Sequence, residues 1–551
     1  MVSSMTRGRQ VGAGRSTPEV SRRSRASRVF RVGAPADRRQ GCVLALAFAL
    51  ASTPAAAQLV LGGNHRIFQN NAGGTVEEGD HFGAAFCAGD FNRDGYSDLA
   101  IGAPDETVGS TVGAGAVYVV YGSASGLGAG PTGPLVLHQD VAGVQNTAET
   151  EDRFGAALAA LDVNGDGWDD LAVGIPGEDV DYFGDSYPNA GGIQVFLGSV
   201  GGLVAAADTY IDGGLFDDFL IYTPEAHGNF GFAVVGCDEN HDGFEDLLVG
   251  APGDSAGGPY SHSGRFLRLP GSAGGITTVG ASAPWFPTPH YRFGAALACR
   301  ILAATGYAYS LVGLPDFTSE GSGSEAGGAL VYRDSVSQGF LGPTHAGAHF
   351  GSAVALGDFK GLGVPQALNG APGWSFPGPI GEGGLVWLSH LTPGGPEANV
   401  TQDTSGVADD TEGFDHFGAA LAVAYFDRDG FDDAVIGAPD ENFNDGTPQL
   451  RLDVGVVHVL FGGSGGLSGS GSQFWSWDVI GFGAVALDRF GSVLAVGDFD
   501  GNGVDDLAIG APGAEWSGQP DTGIVQILYA WPDGWIFGDD FEGGNTQKWA
   551  P

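Results

Sequence analysis

Four short stretches place oxygen ligands at spacings suited to a metal ion. Asp90, Asn92, Asp94 and Asp98 stand at positions 1, 3, 5 and 9 of a loop with Gly95 at position 6. Asp162, Asn164, Asp166 and Asp170 repeat the pattern around Gly167, as do Asp238, Asn240, Asp242 and Asp246 around Gly243, and Asp498, Asp500, Asn502 and Asp506 around Gly503. Calcium takes about six to eight oxygens in a flexible cage, and alternating acidic side chains with a glycine at the sharp turn supply one. The backbone carbonyls of Tyr96, Trp168, Phe244 and Val504 fall at position 7, where such loops offer a main-chain oxygen. Position 12 of the first loop is Ile101 rather than Glu, and the flanks are β-branched and small apolar residues bounded by Gly and Pro. That combination is a strand–loop–strand unit and not an EF-hand. Ordinary metal-free Asp/Asn/Gly turns are the alternative. The shared register speaks against them, because position 1 follows a phenylalanine by eight residues in all four cases.

The loops sit inside a larger repeat. Phe-Gly occurs at Phe82, Phe154, Phe230, Phe293, Phe350, Phe417 and Phe490, each opening an apolar run. Each unit then reaches Gly-x-Pro, at Pro104, Pro176, Pro252, Pro315, Pro372, Pro439 and Pro512. A third apolar segment follows each time, beginning at Gly115, Gly192, Gly264, Gly328, Gly384, Gly455 and Gly523. Seven units in one internal order are the signature of a repeat architecture. FG, the acidic loop and GAP recurring together resemble the FG-GAP repeat family, best known from integrin alpha-subunit head domains. The resemblance covers residues 58–531. It implies an all-β, seven-bladed β-propeller with calcium loops in some blades, and ligand recognition by loops on the face away from the metal.

The remaining three loops depart from the pattern. Tyr425 replaces the first Asp of the sixth unit, leaving Asp427, Asp429 and Asp433 as a weak fifth site. The fifth unit keeps Asp358, but Lys360, Leu362 and Gln366 make no cage. In the fourth, Ile301 occupies position 1 and the loop is lost.

Strand length fixes a geometry. A strand of about eight residues, roughly 25 Å long, runs from each FG to the acidic loop, and a second returns to GAP. FG and GAP therefore share one end of a blade and the acidic loops the other. The variable segments after GAP and before FG gather on the FG–GAP face. Gln58–Leu61 precedes the first FG as Pro134–Leu137 precedes the second, and the last unit ends after three strands. The N-terminal strand is thus expected to complete the last blade and remove two sheet edges.

Residues 1–57 carry 10 of the 23 basic residues and 2 of the 65 acidic ones. With the apolar run Val43–Ala51 and Ala55-Ala56-Ala57 they read as a signal peptide with a long basic n-region. Residues 58–551 hold 13 basic and 63 acidic residues, a formal charge of −50. Nucleic acid and anionic membrane surfaces are unsuited partners, and no run is long enough to span a bilayer. The expectation is a monomer that is secreted, periplasmic or held at the cell surface, with residues 532–551 as a tail. Cys87, Cys237 and Cys299 remain in the mature part. A Cys237–Cys299 bridge between neighbouring units is one reading, and three buried small apolar side chains the expected one.

Candidate catalysis is weak. Gly253-Asp254-Ser255-Ala256-Gly257 fits G-x-S-x-G, but it lies in a loop after GAP, not on a strand-to-helix elbow. Gly462 to Gly466 is a second accidental match. His81, His349 and His416 each precede an FG and read as repeat features rather than zinc ligands. Aromatic residues after GAP are better candidates for recognition: Tyr182, Phe183, Tyr187, Tyr260, Phe317, Trp374, Phe376, Phe443 and Trp516. Their alternative role is to tuck back over blade edges. The sequence therefore reads as a non-catalytic, calcium-binding adhesion module for an extracellular protein or glycan. A calcium-dependent lectin, with Asp185 and Asn189 beside Tyr187, is the runner-up, and a hydrolase comes third.

Overall fold

In the computed structural model the described residues are 58–59, 65–216, 223–255, 263–283, 292–302, 305–318, 326–342, 345, 347–376, 381–391, 396–442 and 452–531. The signal-peptide and tail readings, Tyr260 and Phe443 lie outside them. The chain folds as an all-β, seven-bladed β-propeller, each blade an antiparallel meander. Blade 1 orders Ala85–Gly89, Asp98–Ala103, Ala116–Val120 and Leu135–Leu137 from the axis outward. Blade 3 has three named strands, and a single bridge between Arg268 and Ser282 stands for the fourth.

The second strand of every blade is buried along its whole length, as in Asp98–Ala103. A strand covered on both faces reads as a near-continuous apolar run instead of alternating. That is why DLAIGA-type segments stand out in the sequence.

The FG and GAP motifs have a steric cause. Each FG phenylalanine is at most 1% exposed, wedged between blades. The FG glycines adopt φ near +90°, a conformation that strains any residue with a Cβ. The carbonyl oxygen of each then packs on the GAP glycine of the preceding blade. A Cβ on Gly102 would lie 2.1 Å from Gly155 O, and the same contact recurs from Gly174 to Gly231 at 2.0 Å. Residue type and blade-to-blade distance are thus set together.

Closure comes from the N-terminal segment, in a register other than expected. His65–Ile67 is the fourth strand of the last blade and pairs with Ile524–Leu528. Gln58–Leu59 pairs separately with Ala530–Trp531. The more apolar run drew the sequence reading. Buried Gln69 stands two residues beyond Ile67, just as buried Gln139 stands two beyond Leu137, so the two strands hold equivalent places in their blades.

The expectation for the cysteines is corrected as well. Cys237 and Cys299 form a disulfide across a Cα–Cα distance of 6.0 Å, and Cys87 is a buried free thiol. Cys237 ends the innermost strand of blade 3, Ala233–Cys237, and Cys299 stands at the middle of the innermost strand of blade 4, Leu297–Ile301. Those strands are neighbours around the axis. Repeat spacing alone did not reveal that both side chains turn toward the same gap.

Candidate functional site

The acidic loops sit at the end of each blade opposite FG and GAP. In the first, Asp90 Oδ1 accepts from Asp94 N at 3.0 Å and Oδ2 from Gly95 N at 2.9 Å. Asn92 Oδ1 accepts from Asp94 N, and Asp94 Oδ1 from Tyr96 N. Side chains 1, 3 and 5 are therefore folded over the turn by its own N–H groups. The second loop repeats these bonds at Asp162, Asn164 and Asp166, and the third at Asp238, Asn240 and Asp242. In the last blade Asp498, Asp500 and Asn502 do the same.

Position 9 is a structural staple. Asp98 is fully buried and accepts from Phe91 N and Gly122 N, tying the loop to the end of the third strand. Asp170, Asp246, Asp433 and Asp506 bond in the same manner. Burial pushes these carboxyls up, Asp98 and Asp506 to about 8, Asp170 and Asp433 to about 7, and Asp246 to about 6. The other acids of each loop push in the same direction. A set of oxygen donors that raise one another's pKa is chemically suited to a hard cation such as calcium. Among the described residues, three carboxylate oxygens come within 4.8 Å of one another at Asp498, Asp500 and Asp506.

The position-7 side chains join neighbouring loops. The Tyr96 ring covers Gly501 of the last blade, and the Phe244 ring covers Gly165 of the second. Trp168 carries Arg93 over its ring, and Val504 is buried.

The degenerate loops keep parts of this scaffold. Asp358 still caps Leu362 N and Gly363 N. Asp427 accepts from Asp429 N, although Tyr425 stands at position 1. In the fourth blade, where no acidic loop exists, the gap to blade 3 is bridged by the disulfide and a buried cluster. Glu239 there pairs with Arg268 and accepts from Ser310 and Ser335.

Sequence reading missed the residue before position 9. Asp169 Oδ2 accepts from Asp90 N at 2.8 Å, Glu245 from Asp162 N at 3.0 Å and Asp505 from Tyr425 N at 2.7 Å. Each caps the preceding blade's loop. The signal was present as paired acids, Asp169-Asp170, Glu245-Asp246, Asp432-Asp433 and Asp505-Asp506.

The FG–GAP face has its own polar repeats. His81 Nδ1 pairs with Asp105 at 2.8 Å, and Arg153 of blade 2 reaches the same carboxylate at 3.3 Å. His416, Asp440 and Arg489 repeat this between blades 6 and 7, and His349, Asp316 and Arg292 more loosely between blades 4 and 5. Donation to the Asp105 and Asp440 carboxylates holds the His81 and His416 imidazoles above their usual pKa. These histidines join the repeat together, as expected. Deeper in, Gln69 caps Glu106, Gln139 caps Glu178 at 2.8 Å and Gln402 caps Glu441 at 2.6 Å, each beside a buried Asp80, Asp152 or Asp415. Burial pushes Glu106 and Glu178 to about 8 and Glu441 to about 9.

The aromatic candidates divide. Trp516 stacks on Phe68 at 3.8 Å, Trp374 on His345 at 4.2 Å, and Phe317 tilts onto Phe340 at 4.7 Å. These tuck back, and Phe376 is half-buried. Phe183 is 82% exposed at the tip of a hairpin formed by Val180–Tyr182 and Asp185–Tyr187. Asp185 is exposed on that hairpin, while Asn189 is held by Asp179 and faces His227. Ser255, from the G-x-S-x-G match, donates to Glu225, and Asp254 pairs with Arg265.

With this geometry in hand, the comparisons with known proteins are specific. The FG-GAP repeat family matches at residues 82–120, 154–196, 230–265 and 490–528. These are the four blades whose loops keep every ligand position. Phosphatidylinositol-glycan-specific phospholipase D of Bos taurus is 32% identical over 176 residues, 32% of this chain and 19% of that protein. Integrin alpha-PS5 of Drosophila melanogaster is 29% identical over 180 residues, 32% of this chain and 16% of that protein. Integrin alpha-3 of Mus musculus is 35% identical over 121 residues, 21% of this chain and 10% of that protein. The chain thus spans about a fifth or less of the length of these relatives. Among the described residues no helix is long and apolar enough to cross a membrane.

Proposed function

Because this chain is an FG-GAP repeat protein, we propose that it is an exported, calcium-loaded β-propeller that recognises an extracellular protein or glycan through its FG–GAP face. In this reading Asp90, Asp162, Asp238 and Asp498, with their loop partners, hold structural calcium, and no reaction is catalysed. The observation that carries the proposal is the division between the two faces. At one end, repeated acids are bound into their own loops and into neighbouring blades. At the other, the segments after GAP vary in length and sequence, and one carries Phe183 at 82% exposure on a paired hairpin. An exposed aromatic ring on a paired hairpin, here beside the ring of Tyr182, suits an anchor of a recognition surface.

The lectin reading draws on Asp185 beside Tyr187 on the same hairpin. The phospholipase D likeness raises an enzymatic reading. Against it, among the described residues the Ser255 hydroxyl donates to a glutamate, Glu225. A glycan and matrix-protein array probed with residues 58–551, in calcium, tests the proposal. Saturable binding of one ligand class supports it and separates lectin from protein adhesin. Absence of binding by folded, calcium-loaded protein contradicts it.

A further inference from the structure

Three blades carry the same buried group on the FG–GAP face: a glutamate after GAP, an aspartate two residues before the FG phenylalanine, and a glutamine that follows the preceding blade's last strand. Two of these are completed by neutral donors. Glu106 receives Gln69 and the Tyr118 hydroxyl, and Gln69 Nε2 also reaches Tyr118 Oη at 3.1 Å. Glu178 receives Gln139 at 2.8 Å and Asn146 at 2.7 Å.

Blade 6 breaks the pattern. The position of Tyr118 is taken by His458, which packs between Phe417 and Phe474 with no polar partner. Asp409, an acid, stands where blade 2 has Asn146, and among the described residues Glu441 keeps Gln402 as its one side-chain donor. Glu412 stands three residues before Asp415, as Glu77 and Glu149 stand before Asp80 and Asp152, and here one oxygen each of Glu412, Asp415 and Glu441 lies within 4.8 Å of the others. Asp415 Oδ1, on a residue 0% exposed, lacks any partner although buried, unlike the oxygens of Asp80 and Asp152, and Gln402 Oε1 lacks one as Gln69 Oε1 and Gln139 Oε1 do in the other two groups. Gln402 already touches Glu441, so rotating its amide would turn Oε1 to the carboxylates. Buried acceptors left unmatched in this way are costly unless a cation or proton meets them.

We propose that Glu412, Asp415, Glu441 and Gln402 Oε1 form a second kind of calcium site, on the face opposite the acidic loops. Three carboxylates and an amide oxygen are a hard, all-oxygen set, and the exposed edge at Glu412 admits waters to complete the shell. The ion would pin residues 401–416, which lead into the sixth FG, to the turn after the sixth GAP. It would thereby stiffen part of the recognition face. This site stands independently of the loop sites, since it shares no residue with them.

The test counts bound calcium and measures melting of residues 58–551 for the wild type, Glu441→Gln, Glu412→Gln and Asp498→Ala, in calcium and in chelator. The site predicts one calcium fewer per chain for Glu441→Gln and Glu412→Gln. It also predicts a sign change for Glu441→Gln, which melts higher than wild type in chelator and lower in calcium, by about 2 °C or more each way. Glu412 is exposed, so its variant keeps the test informative if Glu441→Gln does not fold. Unchanged calcium count in the Glu412 or Glu441 variants overturns the site. So does the same melting order in both buffers, which would mark a protonated, merely hydrogen-bonded glutamate. Loss of an ion in Asp498→Ala alone leaves the loop sites standing and removes this one.

Discussion

The carbonyl oxygen of Gly83 sits 2.4 Å from where a Cβ on Gly510 would be. The first and last repeats, more than four hundred residues apart in sequence, are therefore stitched by the contact that joins every other pair of blades. Together with the pairing of His65–Ile67 on Ile524–Leu528, it closes the ring.

Gly510→Ala is accordingly expected to destabilise the propeller by about 2–4 kcal/mol, since a backbone carbonyl cannot yield as a side-chain tip can. Gly133→Ala, where a Cβ would meet nothing within 4 Å, is the control and should change stability by less than about 0.5 kcal/mol. Denaturant unfolding of both variants checks this. Equal stability of the two would mean that the stitch is not what closes the ring.

Asp94→Ala is expected to lower the melting temperature in millimolar calcium and to leave it nearly unchanged in chelator. If a loop binds calcium with a dissociation constant a hundredfold below the ambient concentration, the ion adds about 2.7 kcal/mol, and that is the scale of the loss. Calorimetry in the two buffers measures the difference. Equal losses would assign Asp94 to the metal-free turn that its hydrogen bonds to Asn92 and Tyr96 also suit.

Most of the fold was legible because its cause is local. FG and GAP recur since a carbonyl must approach a residue without a Cβ, and the acidic loops recur since one turn geometry is used repeatedly. Contacts between blades were not legible. The Cys237–Cys299 bond, the Asp105–Arg153 pair and the Gln402–Glu441 contact each join residues from different repeats. Periodicity says which repeats are adjacent, but not which side chains turn into the gap. The closing strand failed for a related reason: hydrophobicity favoured Gln58–Leu61, whereas the strand that pairs is the less apolar His65–Ile67, followed by buried Gln69.

Glu106 links pH to stability with a definite sign. Its pKa in the fold is pushed by burial, and by Asp80, to about 8, against an ordinary value near 4.5. A raised folded value contributes stability that is fully present below about pH 4.5 and is lost as pH rises through 8. Glu106→Gln keeps the shape and cannot ionise. It should melt close to wild type at pH 5 and several degrees higher at pH 9, both in chelator. A variant that melts below wild type at pH 9 would show that the ionised carboxylate is the stabilising form.

The disulfide joins blade 3 to blade 4, the blade without an acidic loop. Cys237 and Cys299 close a sequence separation of 62 residues, for which chain entropy gives roughly 4 kcal/mol and typical measurements about 2–4. The double variant Cys237→Ala/Cys299→Ala should lose that much in oxidising buffer. Wild type under reductant should fall to the same level, while the variant does not respond. Equal stability of wild type and variant in oxidising buffer would remove the bond's structural role.

The central claim is that one face builds the propeller and the other recognises a ligand. The most direct measurement compares two variants of residues 58–551 on one glycan and matrix-protein array, in calcium, at a temperature where both are folded. Phe183→Ala/Tyr187→Ala is expected to lose binding by tenfold or more with its melting temperature unchanged, and Asp94→Ala to melt lower while binding as wild type does. Binding lost in Asp94→Ala and kept in Phe183→Ala/Tyr187→Ala would contradict the account and place recognition on the acidic loops.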